Sequence, residues 1–544
     1  MKKITMLCAA MVAMMAYSCQ EADVTGYDDK QDVDVAYLSL SVSTPTRAAD
    51  SEDEDGTTDE TSVGDESKIY TLALVAFDYN YDFIGSYQAY ASDGKFNCEV
   101  APDARRFFAV VNPTSAIWDA INGVSSYNQS AFSSLPAITM AAADVSTENY
   151  KTNSSETRGF TMVNAGAKNT SSILLESLVS IDTELSEDID NPTPLTIAVD
   201  RMVAKFEFSV STSFDSNTST LFGETSNYAV GEVQGVALTA TNKAAYLYST
   251  ILTDELAGGN VYRTDHNMTV GQGLTEAGDI REALNENFNW LTNENELTDK
   301  AFIAPNSTDG VVATTPEYVL ENTVEPSYSN SNNLTQAIVK AAYNPCMTTT
   351  GEPLALGTSW FKILTSDGTG TLYLTFAEVV QLYTDKFDLF TADENAKTSM
   401  DVQLNHILGT EGRTWADGLT LAELDARPYG GYKAATVAEQ SDYVIQYYQN
   451  AVSYYDIFIQ HDDSQSIGHA GRWGMVRNNS YRMDISGIMH EGLPYIPDPT
   501  DPDIVDPENQ DPADPEPADE LNAYISVTIS VNPWVLWYQE TVLM

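Results

Sequence analysis

Two eight-residue segments near opposite ends of the chain follow one pattern. Residues 36–43 read Ala-Tyr-Leu-Ser-Leu-Ser-Val-Ser, and residues 523–530 read Ala-Tyr-Ile-Ser-Val-Thr-Ile-Ser. Branched apolar residues alternate with small hydroxyl residues, a period of two that fits a strand with one face buried and the other wet. The inward set is Leu38, Leu40 and Val42 in the first, and Ile525, Val527, Ile529 and Val531 in the second. Two strands this alike can fill the same slot in a sheet. Equally, a limited strand alphabet of Val, Ile, Ser, Thr and Tyr makes edge strands resemble one another.

What surrounds each copy differs. The first runs into Thr44-Pro45-Thr46-Arg47-Ala48-Ala49, where Pro45 ends the strand. Arg47 is the only basic residue between Lys30 and Lys68, in a stretch without apolar pattern. A lone arginine there suits an arginine-specific protease cutting between Arg47 and Ala48; the plainer reading is a surface arginine. The second copy follows residues 494–520, which repeat proline and acid with almost nothing apolar. Such a segment is an extended, self-repelling tether that at ~3.1 Å per residue reaches a neighbouring molecule. Burying Ile525, Val527, Ile529 and Val531 in an open groove would contribute roughly 1.5–3 kcal/mol each as an upper estimate. The mode would be strand addition, with Trp534, Trp537 and Tyr538 adding contact area.

The N-terminus reads as an export signal. Lys2 and Lys3 precede an apolar run, Ile4 to Tyr17, too short to span a bilayer as a helix. It ends in Ala16-Tyr17-Ser18-Cys19, a loose match to a bacterial lipobox. On that reading Cys19 becomes the lipidated N-terminus, and acyl chains such as palmitate are the anchor. The other reading is an ordinary signal peptide with a chance cysteine. Cys98 and Cys346 remain in the folded part, and nothing in the sequence says whether they come within bridging distance.

A net charge of −52 repels phosphate backbones and argues against nucleic-acid binding. Much of the excess sits in two blocks, residues 50–66 and 498–520, which read as solvated segments. A chain of 544 residues predicts two domains of unequal size.

Between the ends the pattern is mainly β. Strands are expected at Ile69–Asp78, Lys95–Val100, Arg106–Val111, Gly159–Val163 and from Leu195 through Phe208. Later ones are expected at Val452–Ile459 and Met475–Ile488. Short helices are expected at Ser115–Ile121, Asp279–Leu291 and Phe376–Tyr383. Many short strands with few helices indicate β-sandwich modules. Residues 215–430 carry few legible signals.

Catalytic chemistry is not visible. HExxH, GxSxG and P-loop patterns are missing from the sequence. Gly271-Gln272-Gly273 lacks the third glycine of a nucleotide loop. His461 and His469 flank Asp462 and Asp463, but a surface loop explains them better than a metal site. Asp498, Asp501 and Asp503 lack the glycine and glutamate of a calcium loop and read as tether. No enzyme, cofactor or metal is expected. Abundant tyrosine leaves a surface glycan-binding lipoprotein as an alternative.

Several segments in order resemble the fimbrillins of type V pili, most closely the shaft subunit of the minor fimbria. They are Arg106-Phe-Phe-Ala-Val-Val-Asn112-Pro113, Asp200-Arg201-Met-Val-Ala204-Lys205-Phe-Glu-Phe, and Gly471-Arg472-Trp473-Gly474-Met-Val-Arg477-Asn478-Asn479-Ser-Tyr481, completed by the acidic tether and Val531-Asn-Pro533-Trp534. The resemblance implies two transthyretin-like β-sandwich domains with a few short helices and a tethered C-terminal donor strand. It implies residues 1–18 as signal peptide, 19–47 as propeptide with the removable first strand, 48–215 and 216–493 as the N- and C-terminal domains, 494–521 as tether and 522–544 as donor. Cys19 would be lipidated, an arginine-specific protease would cut at Arg47–Ala48, and the donor strand of another copy would refill the groove. The partners would be other copies, accessory fimbrial subunits, that protease and, before cleavage, the outer membrane. The location would be the outer membrane and the surface fimbria, in support of adhesion.

Overall fold

A computed structural model describes residues 35–43, 60–61, 69–92, 95–123, 139–141, 159–165, 178–210, 229–247, 250–254, 260–265, 267, 269–291, 302–303, 316–324, 332–365, 371–381, 420–425, 443–462, 465–466, 469, 471–497 and 525–535. The protein is mainly β, with several sheets and few short helices.

The first group of strands comprises β1 (Ala36–Ser43), β2 (Thr71–Phe77), β3 (Phe83–Ser92), β4 (Lys95–Val100), β5 (Arg106–Val111), β6 (Met162–Asn164) and β7 (Thr193–Arg201). They pair in the order β2-β3-β4-β1-β7-β6-β5, and β5 pairs back to β2, closing a ring. Two strands turn the corners. β3 pairs with β2 as far as Tyr90 and with β4 at Ala91 and Ser92; β7 pairs with β1 as far as Ala198 and with β6 from Val199. The two faces close over one core that includes Leu72, Leu74, Phe77, Phe107, Val110 and Ile197. Helix α1 (Ser115–Gly123) covers it with Ile117 and Ile121 and runs two residues past the expected end at Ile121, taking in Asn122 and Gly123.

The second group comprises β8 (Val203–Val210), β9 (Ala229–Thr239), α2 (Ala277–Asn287), β10 (Glu317–Leu320), β11 (Gln336–Pro345), β12 (Trp360–Thr365), β13 (Thr371–Leu374), β14 (Tyr443–Tyr448), β15 (Val452–Phe458), β16 (Asn479–Ile488) and β17 (Ile525–Val535). One sheet runs β10-β8-β16-β17, and another runs β9-β11-β15. Their shared core draws Phe206 and Phe208 from β8, Val339 from β11, Ile457 from β15 and Met483 from β16. A third sheet, β13-β12-β14, supplies Trp360, which stacks on Tyr448 at 3.9 Å and donates from Nε1 to the Tyr343 carbonyl at 2.8 Å.

Some boundaries differ from the expectation, each for a local reason. The run from Leu195 to Phe208 breaks at Met202, where the chain leaves one core for the other. The run from Met475 to Ile488 breaks before Asn479 because Asn478 takes a left-handed φ of 61°. The helix expected through Leu291 stops at Asn287, since Phe288 turns extended and pairs with Asn242. β9 and β11 lie inside the stretch that carried few signals. The packed chain extends to Pro497, with Tyr495 and Ile496 buried and Leu493 bridged to Tyr454. Cys98 and Cys346 are free thiols.

Candidate assembly site

The first strand is not an edge. β1 lies between β4, to which it is antiparallel, and β7, to which it is parallel. Leu38 stands opposite Cys98 on one side and Thr193 on the other; Leu40 stands between Phe96 and Leu195. The alternation read from the sequence is obeyed. Ala36 and Leu38 are fully buried, and Leu40 and Val42 are 2% and 4% exposed. On the wet face the Ser41 and Thr196 hydroxyls hydrogen-bond at 2.8 Å. At its start, the Tyr37 amide donates to the Ser186 carbonyl at 2.8 Å. Without β1 the ring would be open between β4 and β7, with one flank's amides and carbonyls and an apolar floor laid bare. Cys98 belongs to that wall. Burial, then the charge of Glu99, push its thiol up to about 12, which favours the protonated form at neutral pH.

The last strand occupies a different place. β17 pairs antiparallel with β16 from Asn479↔Pro533 to Ile488↔Ile525, with an irregularity at Ile485/Gly487. Ile529 packs against the second core. Its other edge is paired, among the described residues, only at Trp534 and Val535, by a short parallel contact with Glu60 and Thr61. The two look-alike strands therefore sit in different sheets: the first is held on both sides, the last along its length on one. Cys19, Arg47, Ala48, Asp498, Asp501 and Asp503 lie outside the described residues.

Two motifs that were only sequence patterns meet in space. Asp200-Arg201 and Asn478 form the junction between the two cores. Asn478 Oδ1 accepts from the Arg201 amide and from its guanidinium, both at 3.3 Å, and its Nδ2 donates to Asp200 Oδ1 at 3.1 Å. The Asn478 amide donates to the Val203 carbonyl at 2.9 Å. Beside it, Arg477 and Glu321 form an ion pair with both side chains fully buried. Asp265 is buried nearby and accepts from the Asn267 amide, the Thr323 amide and Asn242. Burial first, then the charge of Glu321, raise its carboxyl to about 7. The sequence signalled this junction only as motifs; their contact spans some 277 residues of chain.

His461 hydrogen-bonds Tyr481 Oη through Nδ1 at 2.7 Å, and Asp462 accepts from Gln465. Among the described residues no group of three or more His, Cys, Asp or Glu is placed to hold a metal ion. Among them, too, no helix is long and apolar enough to cross a membrane.

A family model described as the C-terminal part of fimbrillin, the major fimbrial subunit protein type IV, matches residues 446–540. The match runs from β14 through β17 and takes in the proline- and acid-rich residues 494–520. No curated protein sequence matches the chain. Similar solved structures include a fimbrilin from Porphyromonas gingivalis, 13% identical over 93% of this chain and 99% of that one, at a TM-score of 0.37. Another is a suggested cell adhesion protein from Parabacteroides distasonis, 13% identical over 93% and 99%, at 0.38. The tip fimbrial protein Mfa3 of Porphyromonas gingivalis, truncated at its C-terminus, is 12% identical over 92% and 100%, at 0.30. Scores this low carry no weight on what the chain does.

Proposed function

We propose that this chain is a structural subunit of a bacterial surface fimbria, of the shaft type, polymerised by strand exchange and serving adhesion. The observation that carries the reading is the seat of β1: a terminal strand, flanked on both sides, with an apolar face that the tail's sequence repeats. The fimbrillin C-terminal match over residues 446–540 supports it from an independent direction. In this reading both cores are transthyretin-like domains, Cys19 carries lipid during export to the outer membrane, and a protease cuts between Arg47 and Ala48.

Energetics then set the order of events. While the chain is intact, β1 is held in its groove at high effective concentration and outcompetes any tail. Once cut, it is a free peptide and can leave. The donor gives up an edge position with one full ladder and takes a seat with two. Having a groove and a tail on one molecule is what shaft growth requires, and no catalytic role is needed.

The test is the N-terminal residue of the surface-exposed protein, expected to be Ala48. Arg47→Ala is expected to leave lipid-anchored monomer, and deletion of residues 522–544 to stop growth. Ordinary filaments from either variant would sink the reading.

A further inference from the structure

The groove has a direction. Its β7 wall runs parallel to β1, and its β4 wall antiparallel, so the two ends of the seat are distinct. At the Ala36 end the inward residue is a fully buried alanine, and the half-buried Tyr37 follows it. A tail laid in the same direction puts Ala523 and Tyr524 at these two places. A reversed tail, keeping Val527 at the place of Leu40, would force Val531 into the alanine's space and Ser530 into the tyrosine's.

The Ala36 end is also the end of the first core remote from the second. From it β7 runs towards Arg201 and the junction. Three loops close this pole: the Arg105 amide donates to the Phe77 carbonyl, the Ile181 amide to the Arg105 carbonyl, and the Tyr37 amide to Ser186. The pole carries Tyr79 and Ile189, 65% and 64% exposed, the two most exposed large apolar side chains among the described residues. Arg106 lies 5.0 Å from the Tyr79 ring centroid and 3.0 Å from Asp182, which holds that tyrosine outward on a fixed base.

We infer that the groove takes the tail of a second copy in one direction and register, Ala523 replacing Ala36 and Ile529 replacing Val42, so that the neighbour's tether comes in over the Tyr79–Ile189 pole. The inference rests on the strand-exchange reading and adds polarity and a contact surface to it. The occupant of the pole is the neighbouring copy, because the chain that precedes Ala523 enters the groove at the Ala36 end when Ala523 replaces Ala36. Charge opposes the approach. Loops 78–82, 101–106 and 181–192 hold eight carboxylates against two arginines, and the tether is acidic as well. Salt that screens this repulsion therefore speeds elongation.

Cross-linking in polymers of the cleaved, full-length chain tests the direction. Thr196 faces solvent beside the seat. With the inferred register, Thr196→Cys on one copy pairs with Thr528→Cys on the next, and Thr196→Cys with Ser526→Cys does not. A predominant Ser526→Cys cross-link, or neither cross-link within polymers, overturns the inference while leaving strand exchange standing. No polymer at all from the cleaved wild-type chain sinks the strand-exchange reading itself. Ile189→Asp, on an exposed site, is expected to slow elongation several-fold with the monomer's melting unchanged. Equal elongation rates, or rates that fall with added salt, remove the pole from the contact.

Discussion

At the scale of single residues, the junction between the cores is where chemistry is concentrated. Arg477 and Glu321 are both fully buried, so each depends on the other for charge compensation. Arg477→Met alone is expected to cost about 3–5 kcal/mol in denaturant unfolding, because it strands Glu321 in the interior. The double change with Glu321→Leu should recover much of that loss, since an apolar pair of similar volume replaces the ions. Asp265 adds a pH dependence of definite sign. Its folded carboxyl is raised to about 7 from an ordinary value near 3.8. Between those two values the folded state binds more protons than the unfolded one, so stability falls as pH rises through the window. Melting followed from pH 4 to 8 should show this decline, and Asp265→Asn should flatten it. The sequence marked Arg477 and Asn478 as part of a motif, but gave no sign of Glu321 or Asp265, because no local pattern reveals which distant strand brings a buried charge its partner.

At the scale of elements, what could be read was decided by burial geometry. β1 has one dry and one wet face, so its alternation is visible in the sequence, and Leu38, Leu40 and Val42 face inward. β11 is buried almost continuously from Gln336 to Pro345, with only Lys340 partly exposed. Its composition, Gln-Ala-Ile-Val-Lys-Ala-Ala-Tyr-Asn-Pro, therefore shows no period, and polar groups such as Asn344 are satisfied by the Thr358 carbonyl and the Gly357 amide. The seat of β1 was half legible. The sequence disclosed the strand and its inward face, but not its walls, since β4 and β7 lie far along the chain and neither advertises the other. Leu40→Asp in the uncleaved chain places a charge between Phe96 and Leu195, and circular dichroism should report loss of cooperative melting of the first core. Ser41→Ala, which removes only a hydrogen bond on the wet face, should cost about 1 kcal/mol or less.

At the scale of the whole molecule, two cores share one junction rather than a linker. Only Met202 separates β7 from β8, and Asn478 ties Asp200 and Arg201 to the start of β16. Asn478 also sits at a φ of 61°, where alanine is strained. Asn478→Ala removes both the bonds and the favourable turn residue, so it should weaken the coupling as well as each core. Calorimetry is expected to show one transition for the wild-type chain and two for this variant; a single, merely lowered transition would mean the cores are coupled elsewhere.

The succession of β7 and β8 has a mechanical consequence. β7 is one wall of the β1 seat, and one residue later the same backbone becomes an inner strand of the second core, paired with β10 and β16. A pull applied along a strand in that seat acts lengthwise on the ladder, so its hydrogen bonds resist together instead of parting one after another. The load then passes along continuous backbone into the next sandwich. In a fibre of such units, tension would be carried by sheared strands and covalent chain.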